Sequence, residues 1–225
     1  MTKFLCIQHT YNGIEVALFN DNKIIDKIFE DKKRASKYFV TCINSLLDRN
    51  NLGLKDLHFI ATNKGPGPFT TLRVVLASVN GLAFAIKKPI IGVDGLDAIF
   101  LEHARENLVT VALLDACGKD VYFGVSHKVL SSDLSNIDKG YKNIEVLLKD
   151  LGNLFKGEKI YFIGNGALKY RDNILDLFGS KAIFDDIVPE VCSVDIVGKI
   201  AFEMWNKKDG LEKQILPIYL KSISY

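Results

Sequence analysis

The stretch Asn63-Lys64-Gly65-Pro66-Gly67-Pro68-Phe69-Thr70-Thr71-Leu72-Arg73, with the apolar run that follows it to Pro89, decides how this chain reads. It comes directly after a strand-like segment, His58 to Thr62. Gly65 and Gly67 permit tight backbone turns, and Pro66 and Pro68 fix φ beside them. Thr70 or Thr71 can cap the helix that follows. Leu72, Val75, Leu76, Val79, Leu82, Ala83 and Ile86 recur at helical spacing. Lys87 and Lys88 suit a helix C-terminus through the macrodipole, and Pro89 stops the helix.

The opposite face of this helix carries Arg73, Ala77, Asn80 and Phe84 in one line, with Ser78, Gly81 and Ala85 beside it. From Thr70 to Ile86 only Arg73 is charged. A surface helix would carry a charged outer face, so both sides of this one are expected to be covered. Two readings fit: burial inside its own domain, or a subunit interface at which small residues allow close approach.

The nine residues Gly65 to Arg73 resemble the Gly-Pro-Gly-Ser-Phe-Thr-Gly-Leu-Arg signature of the TsaB (YeaZ) family, with Pro68 and Thr71 as the departures. Ala77 to Ala83 and Pro89-Ile90-Ile91-Gly92-Val93 follow the family pattern too. The resemblance implies a non-catalytic partner in the formation of threonylcarbamoyladenosine at position 37 of tRNAs. The implied partners are a TsaD-like catalytic subunit, a TsaE-like ATPase, a second copy when the chain is alone, and tRNA through the complex. ATP and Mg²⁺ would be used by the complex, with no cofactor held by this chain alone. The implied interface comprises Phe69, Thr70, Leu72, Arg73, Ala77, Asn80, Gly81 and Phe84, with the helix Ala35 to Arg49 beside it. Gly65, Pro66 and Gly67 form a structural loop. The competing reading is an independent actin-like nucleotide-binding transferase.

The bulk properties fit a globular protein. The 225 residues are 48% hydrophobic, enough for one sizeable core or two small lobes. The net charge of +2 neither demands nor excludes nucleic acid. Cys6, Cys42, Cys117 and Cys192 show no zinc-like pairing and read as buried, reduced thiols. The apolar run at Phe4 to Ile7 is too short for a signal peptide, and no window is expected to reach the apolar length of a membrane span. A soluble, cytoplasmic protein is the expectation.

In chain order, strands are predicted at Phe4 to Ile7, Gly13 to Phe19 and Lys23 to Phe29, with a turn at Asp21-Asn22. A helix Ala35 to Arg49 carries Phe39, Ile43, Leu46 and Leu47 on one face. After the Gly-Pro helix come a strand, Ile90 to Val93, and a helix, Leu96 to Glu106. A second run of the same kind follows: strands Val109 to Leu114 and Val121 to His127, a polar loop Ser131 to Asn143, and a helix Ile144 to Phe155. Strand Ile160 to Ile163, the turn Gly164-Asn165-Gly166 and a helix Ala167 to Leu177 continue it. Ser193 caps a last helix, Val194 to Lys208, with Ile196, Ile200 and Trp205 facing inward, and Ile215 to Leu220 is extended. Patterning alone gives an α/β protein in two lobes. The family resemblance implies the duplicated actin-like (ASKHA, ribonuclease H-like) fold, with a first lobe at 1–105 and a second at 106–225 that includes the last helix and tail.

Chemistry-bearing residues are sparse. The first hairpin of actin-like ATPases carries a metal-organising Asp, and the family pattern there is Asp-Thr-Ser, whereas this chain reads Gln8-His9-Thr10. Gln offers Mg²⁺ no charged oxygen, and His9 reads as a solvated or hydrogen-bonded turn residue rather than a ligand. His9, His58, His103 and His127 include no i, i+4 pair, and the His-x-x-x-His motif of TsaD is missing. No metal site or protease arrangement is expected. Asp115-Ala116-Cys117 resembles the family's Asp-Ala-Arg with Cys in place of Arg, followed by Asp120 and Tyr122; on its own Asp115 reads as a hairpin residue accepting backbone hydrogen bonds. Gly164-Asn165-Gly166-Ala167 resembles the turn near adenosine in actin-like folds, which makes Gly164 and Gly166 candidates for a weak nucleotide contact. Pro217-Ile218-Tyr219-Leu220-Lys221 resembles the family's C-terminal Pro-x-Tyr-Leu-Arg.

Overall fold

The computed structural model describes residues 1–126 and 137–220, with backbone alone at Ala35 and Ser36. The packing divides the chain into one unit made of Met1–Gly95 and Ser193–Ile218, and a second centred on Leu96–Cys192.

In the first unit β1 (Lys3–His9), β2 (Gly13–Asn20) and β3 (Lys23–Asp31) form an antiparallel meander. β4 (Phe59–Asn63) lies parallel to β1 on its other side, and β5 (Ile90–Val93) lies parallel to β4. A short β11 (Leu211–Glu212) adds antiparallel to β5, so the order is β11-β5-β4-β1-β2-β3. Period-2 alternation then separates two faces. Leu5, Ile7, Ile14, Val16, Leu18 and Ile60 meet the inner stripes of α1 (Lys32–Arg49) and α2 (Phe69–Ile86) in one core. The other face carries a stack of aromatic rings: Phe4 against Phe19 at 4.8 Å, Phe4 against Phe59 at 4.2 Å, and Phe59 against Trp205 at 4.8 Å.

Trp205 belongs to α7 (Val194–Lys207), capped by Ser193 as the sequence predicts. The helix was expected in the second lobe. It packs instead on β1, β2, β4 and β5 of the first sheet, where the Phe4, Phe19 and Phe59 rings receive its apolar stripe. Val194, Val197, Gly198 and Ala201 are its fully buried residues, while Ile196, Ile200 and Trp205 are half-buried. Gly198 lets the backbone sit directly on Phe19: a Cβ there would lie 2.1 Å from the ring.

The second unit repeats the plan. β6 (Val109–Asp115), β7 (Asp120–Ser126) and β8 (Ile137–Asn143) are antiparallel, β9 (Ile160–Ile163) is parallel to β6, and β10 (Ala182–Ile183) is parallel to β9. The order β10-β9-β6-β7-β8 matches β5-β4-β1-β2-β3 strand for strand. This is the duplicated α/β arrangement expected. α3 (Gly95–His103) leads into the unit, and its Phe100 fills the space at Gly124, where a Cβ would lie 2.5 Å from the ring. α4 (Ile144–Leu154) contributes Leu147, Leu148 and Leu151 to a core with Val111, Leu113 and Phe162.

Several expectations need correction. The stretch read as a polar loop contains β8, and its earlier residues, with His127, lie outside the described residues. The helix expected at Ala167 to Leu177 is two helices, α5 (Asn165–Lys169) and α6 (Arg171–Phe178), which break at Tyr170. α1 begins three residues early because the Asp31 carboxylate accepts from Lys33 N at 2.9 Å. Neither Thr70 nor Thr71 caps α2; Pro68 stands at the N-cap with no side-chain bond. Contrary to expectation, α2 is long and apolar enough to cross a membrane by length and composition alone, although its inner stripe is part of the core. Three of the free cysteines are buried, but Cys117 is exposed.

Gly198→Ala tests the α7 contact. Ala gains about 1 kcal/mol in helix propensity over Gly, but here it overpacks the Phe19 ring, at a cost of roughly 1–3 kcal/mol. The expected result is a lower urea midpoint; a raised midpoint would show that the helix has room to spare.

Candidate functional site

The loop between β4 and α2 is built by close approaches. The Asn63 side chain accepts from Gly65 N at 2.9 Å, and Gly65 O accepts from Gly95 N at 2.8 Å. Gly65 has φ +100° and the Gly65–Pro66 peptide is cis. A Cβ on Gly67 would stand 2.2 Å from His9 Cε1, so the imidazole lies directly under the loop. His9 is neither solvated nor a hydrogen-bonded turn residue. It ends β1, is 3% exposed, and neither ring nitrogen has a hydrogen-bond partner among the described residues. Burial pushes its pKa down to about 4.

From this loop α2 runs with two distinct faces. Leu72, Val75, Leu76, Val79 and Ala83 are buried. Arg73, Ala77, Gly81 and Ala85 are exposed on the other side, with Phe69 56% and Phe84 85% exposed. The apolar outer face is therefore not covered within the first unit. Thr70 is exposed, and the Arg73 guanidinium lies 3.8 Å from the centre of the Phe69 ring. No atom lies within 4 Å of where a Gly81 Cβ would be.

Two of the eight interface candidates sit elsewhere. Leu72 is a core residue, 3% exposed. Asn80 is half-buried, and its amide bonds both backbone groups of Ile215, donating to O at 2.9 Å and accepting from N at 2.8 Å. Both pairings tie down the C-terminal segment, which Ile218 N extends by donating to Lys64 O at 2.9 Å. The open face is thus Phe69, Thr70, Arg73, Ala77, Gly81, Phe84 and Ala85. Sequence reading passed over the grooves on either side of it. One, of about 220 Å³, is lined by Phe39, Val40 and Ile43 of α1 and by Ser78, Gly81 and Leu82 of α2. The other, of about 570 Å³, lies at the C-terminal end of α2, between Phe84, Ala85, Lys87, Lys88 and Lys213.

The two hairpins close on themselves. Gln8 is fully buried and its amide donates to the Glu15 carboxylate directly across the β1–β2 pair. Asp115 accepts from Cys117 N at 3.1 Å, as a hairpin residue should, and also from Lys169 Nζ at 2.7 Å. The Tyr122 ring lies 5.7 Å from that of Tyr141, whose hydroxyl donates to Asp120. Gly164 and Gly166 lie against the β6 backbone, where a Cβ would meet Leu113 O at 2.2 and 2.8 Å. Packing thus accounts for both glycines. Among the described residues no three His, Cys, Asp or Glu side chains converge to hold a metal.

Comparison with known proteins places these features. Residues 29–188 match the family model described as TsaD, tRNA N6-adenosine threonylcarbamoyltransferase. A tRNA threonylcarbamoyladenosine biosynthesis protein TsaB from Buchnera aphidicola subsp. Baizongia pistaciae is 26% identical over 217 residues, 91% of each chain. A TsaB from the Acyrthosiphon pisum subspecies is 23% identical over 235 residues, 96% of each. The solved structure of YeaZ from Pseudomonas aeruginosa superposes with a TM-score of 0.72 at 22% identity, covering 98% of this chain and 100% of that one.

The buried imidazole has a pH signature. His9 is neutral in the fold and titrates near its ordinary 6.5 when unfolded. The unfolded chain therefore binds more protons between about pH 6.5 and 4. The His9 contribution to stability is whole above that window, falls by ~3 kcal/mol as the pH drops through it, and levels off below it. His9→Thr is expected to flatten that slope, read from urea midpoints at several pH values. An unchanged slope would assign the pH dependence to other groups.

Proposed function

As a member of the family matched by the tRNA N6-adenosine threonylcarbamoyltransferase model, on its TsaB (YeaZ) side, the chain has a role in threonylcarbamoyladenosine modification of tRNA, and we propose that it acts there as the non-catalytic partner of a TsaD-like subunit. The observation that carries this reading is the outer face of α2. Ala77, Gly81, Phe84 and Ala85 form an exposed stripe with hardly any charge on the outside of a three-layer α/β unit, beside an apolar groove shared with α1. Small residues let a second helix approach closely, and Phe84 supplies a projecting anchor of the kind found at interface centres. In the complex, ATP and Mg²⁺ serve the partners, a TsaE-like ATPase joins, and tRNA is engaged by the assembly in the cytoplasm. When alone, the chain pairs with itself through the same stripe.

The chemistry of the hairpins supports a supporting rather than a catalytic role. At the place where an actin-like ATPase presents a carboxylate, Gln8 is buried and committed to Glu15. In the second unit Asp115 is committed to Lys169. Neither offers Mg²⁺ a free charged oxygen of the kind it prefers. The alternative of an independent nucleotide-binding transferase would need one of these pairs to open.

Gly81→Glu is the decisive variant. The position has open space around it and Glu is a better helix former than Gly, so the isolated chain should fold with an unchanged or higher melting temperature. A charge buried against a partner helix would cost enough to abolish assembly, by at least ~100-fold in Kd. Light scattering on a sizing column, with the TsaD-like protein of the same organism, reads this out. A folded Gly81→Glu or Ala77→Glu chain that still forms the heterodimer would sink the assignment. Calorimetry with ATP and Mg²⁺ on the chain alone is expected to show no binding heat; saturable binding would favour the transferase reading.

A further inference from the structure

We propose that the edge of the first unit at which α1 and α2 begin binds the phosphate backbone of RNA. Lys32, Lys33, Arg34 and Lys37 fall within the first two turns of α1, and no acidic residue occupies the first turn. Cations at a helix N-terminus oppose the macrodipole, each by roughly 0.3–1 kcal/mol. A chain that breaks a local rule this often without an internal gain does so where function requires it.

The fold adds to the cluster. β1 and β4 are parallel and end on the same side of the sheet. Lys32 N donates to Asn12 O in the β1–β2 turn at 2.8 Å, while Gly67, just before α2, covers His9 at the end of β1. Both helices therefore start at one edge, and α2 also has no acid in its first turn. Arg73 of α2 joins the four cations of α1 there. The acids nearby are Asp31, which caps Lys33 N, and Glu30, which pairs with Arg34 Nε at 3.2 Å. Lys32 and Lys33 are exposed and make no ion pair among the described residues. The five cations named here outnumber the two acids beside them, in a chain whose net charge is only +2.

Two aromatic rings are interleaved with the cations. Arg34 lies 4.7 Å and Lys37 5.2 Å from the centre of the Tyr38 ring, and Arg73 lies over the exposed Phe69. Point charges for phosphates beside flat rings on which unpaired bases can stack are the elements with which proteins hold looped or single-stranded RNA. The choice of RNA over an acidic protein rests on the proposed role in tRNA modification.

The test is filter binding of an unmodified tRNA transcript across a salt series, to the chain alone and to its assembly with the TsaD-like subunit. The triple variant Lys32→Ala, Lys33→Ala, Lys37→Ala is compared with Lys207→Ala, Lys208→Ala at the end of α7. The triple variant is expected to bind tRNA at least ~10-fold more weakly near 0.1 M salt, with the salt slope reduced by roughly two to three. Its melting temperature should not fall, because the change removes charges that oppose the α1 dipole. Assembly with the subunit should persist and the α7 control should bind normally. Unchanged affinity and slope in the folded triple variant would overturn the inference. So would an equal loss in the control, or a triple variant that fails to assemble while its own tRNA binding is intact. A wild-type chain that ignores the subunit yet shows the cation-dependent tRNA binding would remove the proposed function and leave this inference standing.

Discussion

The approach of Gly67 to the His9 imidazole is the constraint on which the first unit turns. The parallel β4–β5 pair requires the chain to leave β4 and cross back through a helix on one face. It leaves directly above the end of β1, with no room for a side chain between loop and ring. That contact fixes where α2 starts, and the start fixes which residues of the helix point to the sheet. Leu72, Val75, Leu76 and Val79 fall inward, so Arg73, Ala77, Gly81 and Phe84 must fall outward. The exposed apolar face follows from the geometry of the turn before it.

The duplicated plan shows what the two hairpins have in common. In each unit the first hairpin ends beside the strand-to-helix turn of its parallel neighbour, and in each a glycine packs the turn closely: Gly67 on His9, Gly164 on Leu113. The polar groups at these ends bond to their own scaffold. Gln8 meets Glu15 and Asp115 meets Lys169. The scaffold is retained while its polar ends serve as internal ties.

Much of this was legible in the sequence. Strands with apolar alternation or full burial, such as Ile90 to Val93 and Ile160 to Ile163, appear where their patterns place them. β8 was missed because Ile137-Asp138-Lys139-Gly140-Tyr141-Lys142-Asn143 is a polar edge strand, with pairing on one side and little apolar surface to bury. The loop and the helix of the candidate site were readable, but not every side chain on it. Leu72 shares its spacing with Val75 and Val79, so the helical period itself places it inside. Asn80 lies in line with Ala77 and Phe84, and nothing local shows that its amide is committed to Ile215, 135 residues away. The burial of His9 was likewise invisible, because it depends on a loop more than fifty residues further along the chain.

The link between Asn80 and Ile215 bears on how the chain is made. The first unit is interrupted: its sheet is finished by β11 and covered by α7, both of which follow the whole of the second unit. Synthesis runs from the N-terminus, and domains fold as units when their residues are available. The second sheet, β6 to β10, is contiguous and can close while the ribosome is still translating. The first must hold an uncovered aromatic surface, Phe4, Phe19 and Phe59, until the last helix emerges. The half of the protein that is written first is thus the half that is completed last, and its exposed rings are the surface a chaperone would meet on the nascent chain.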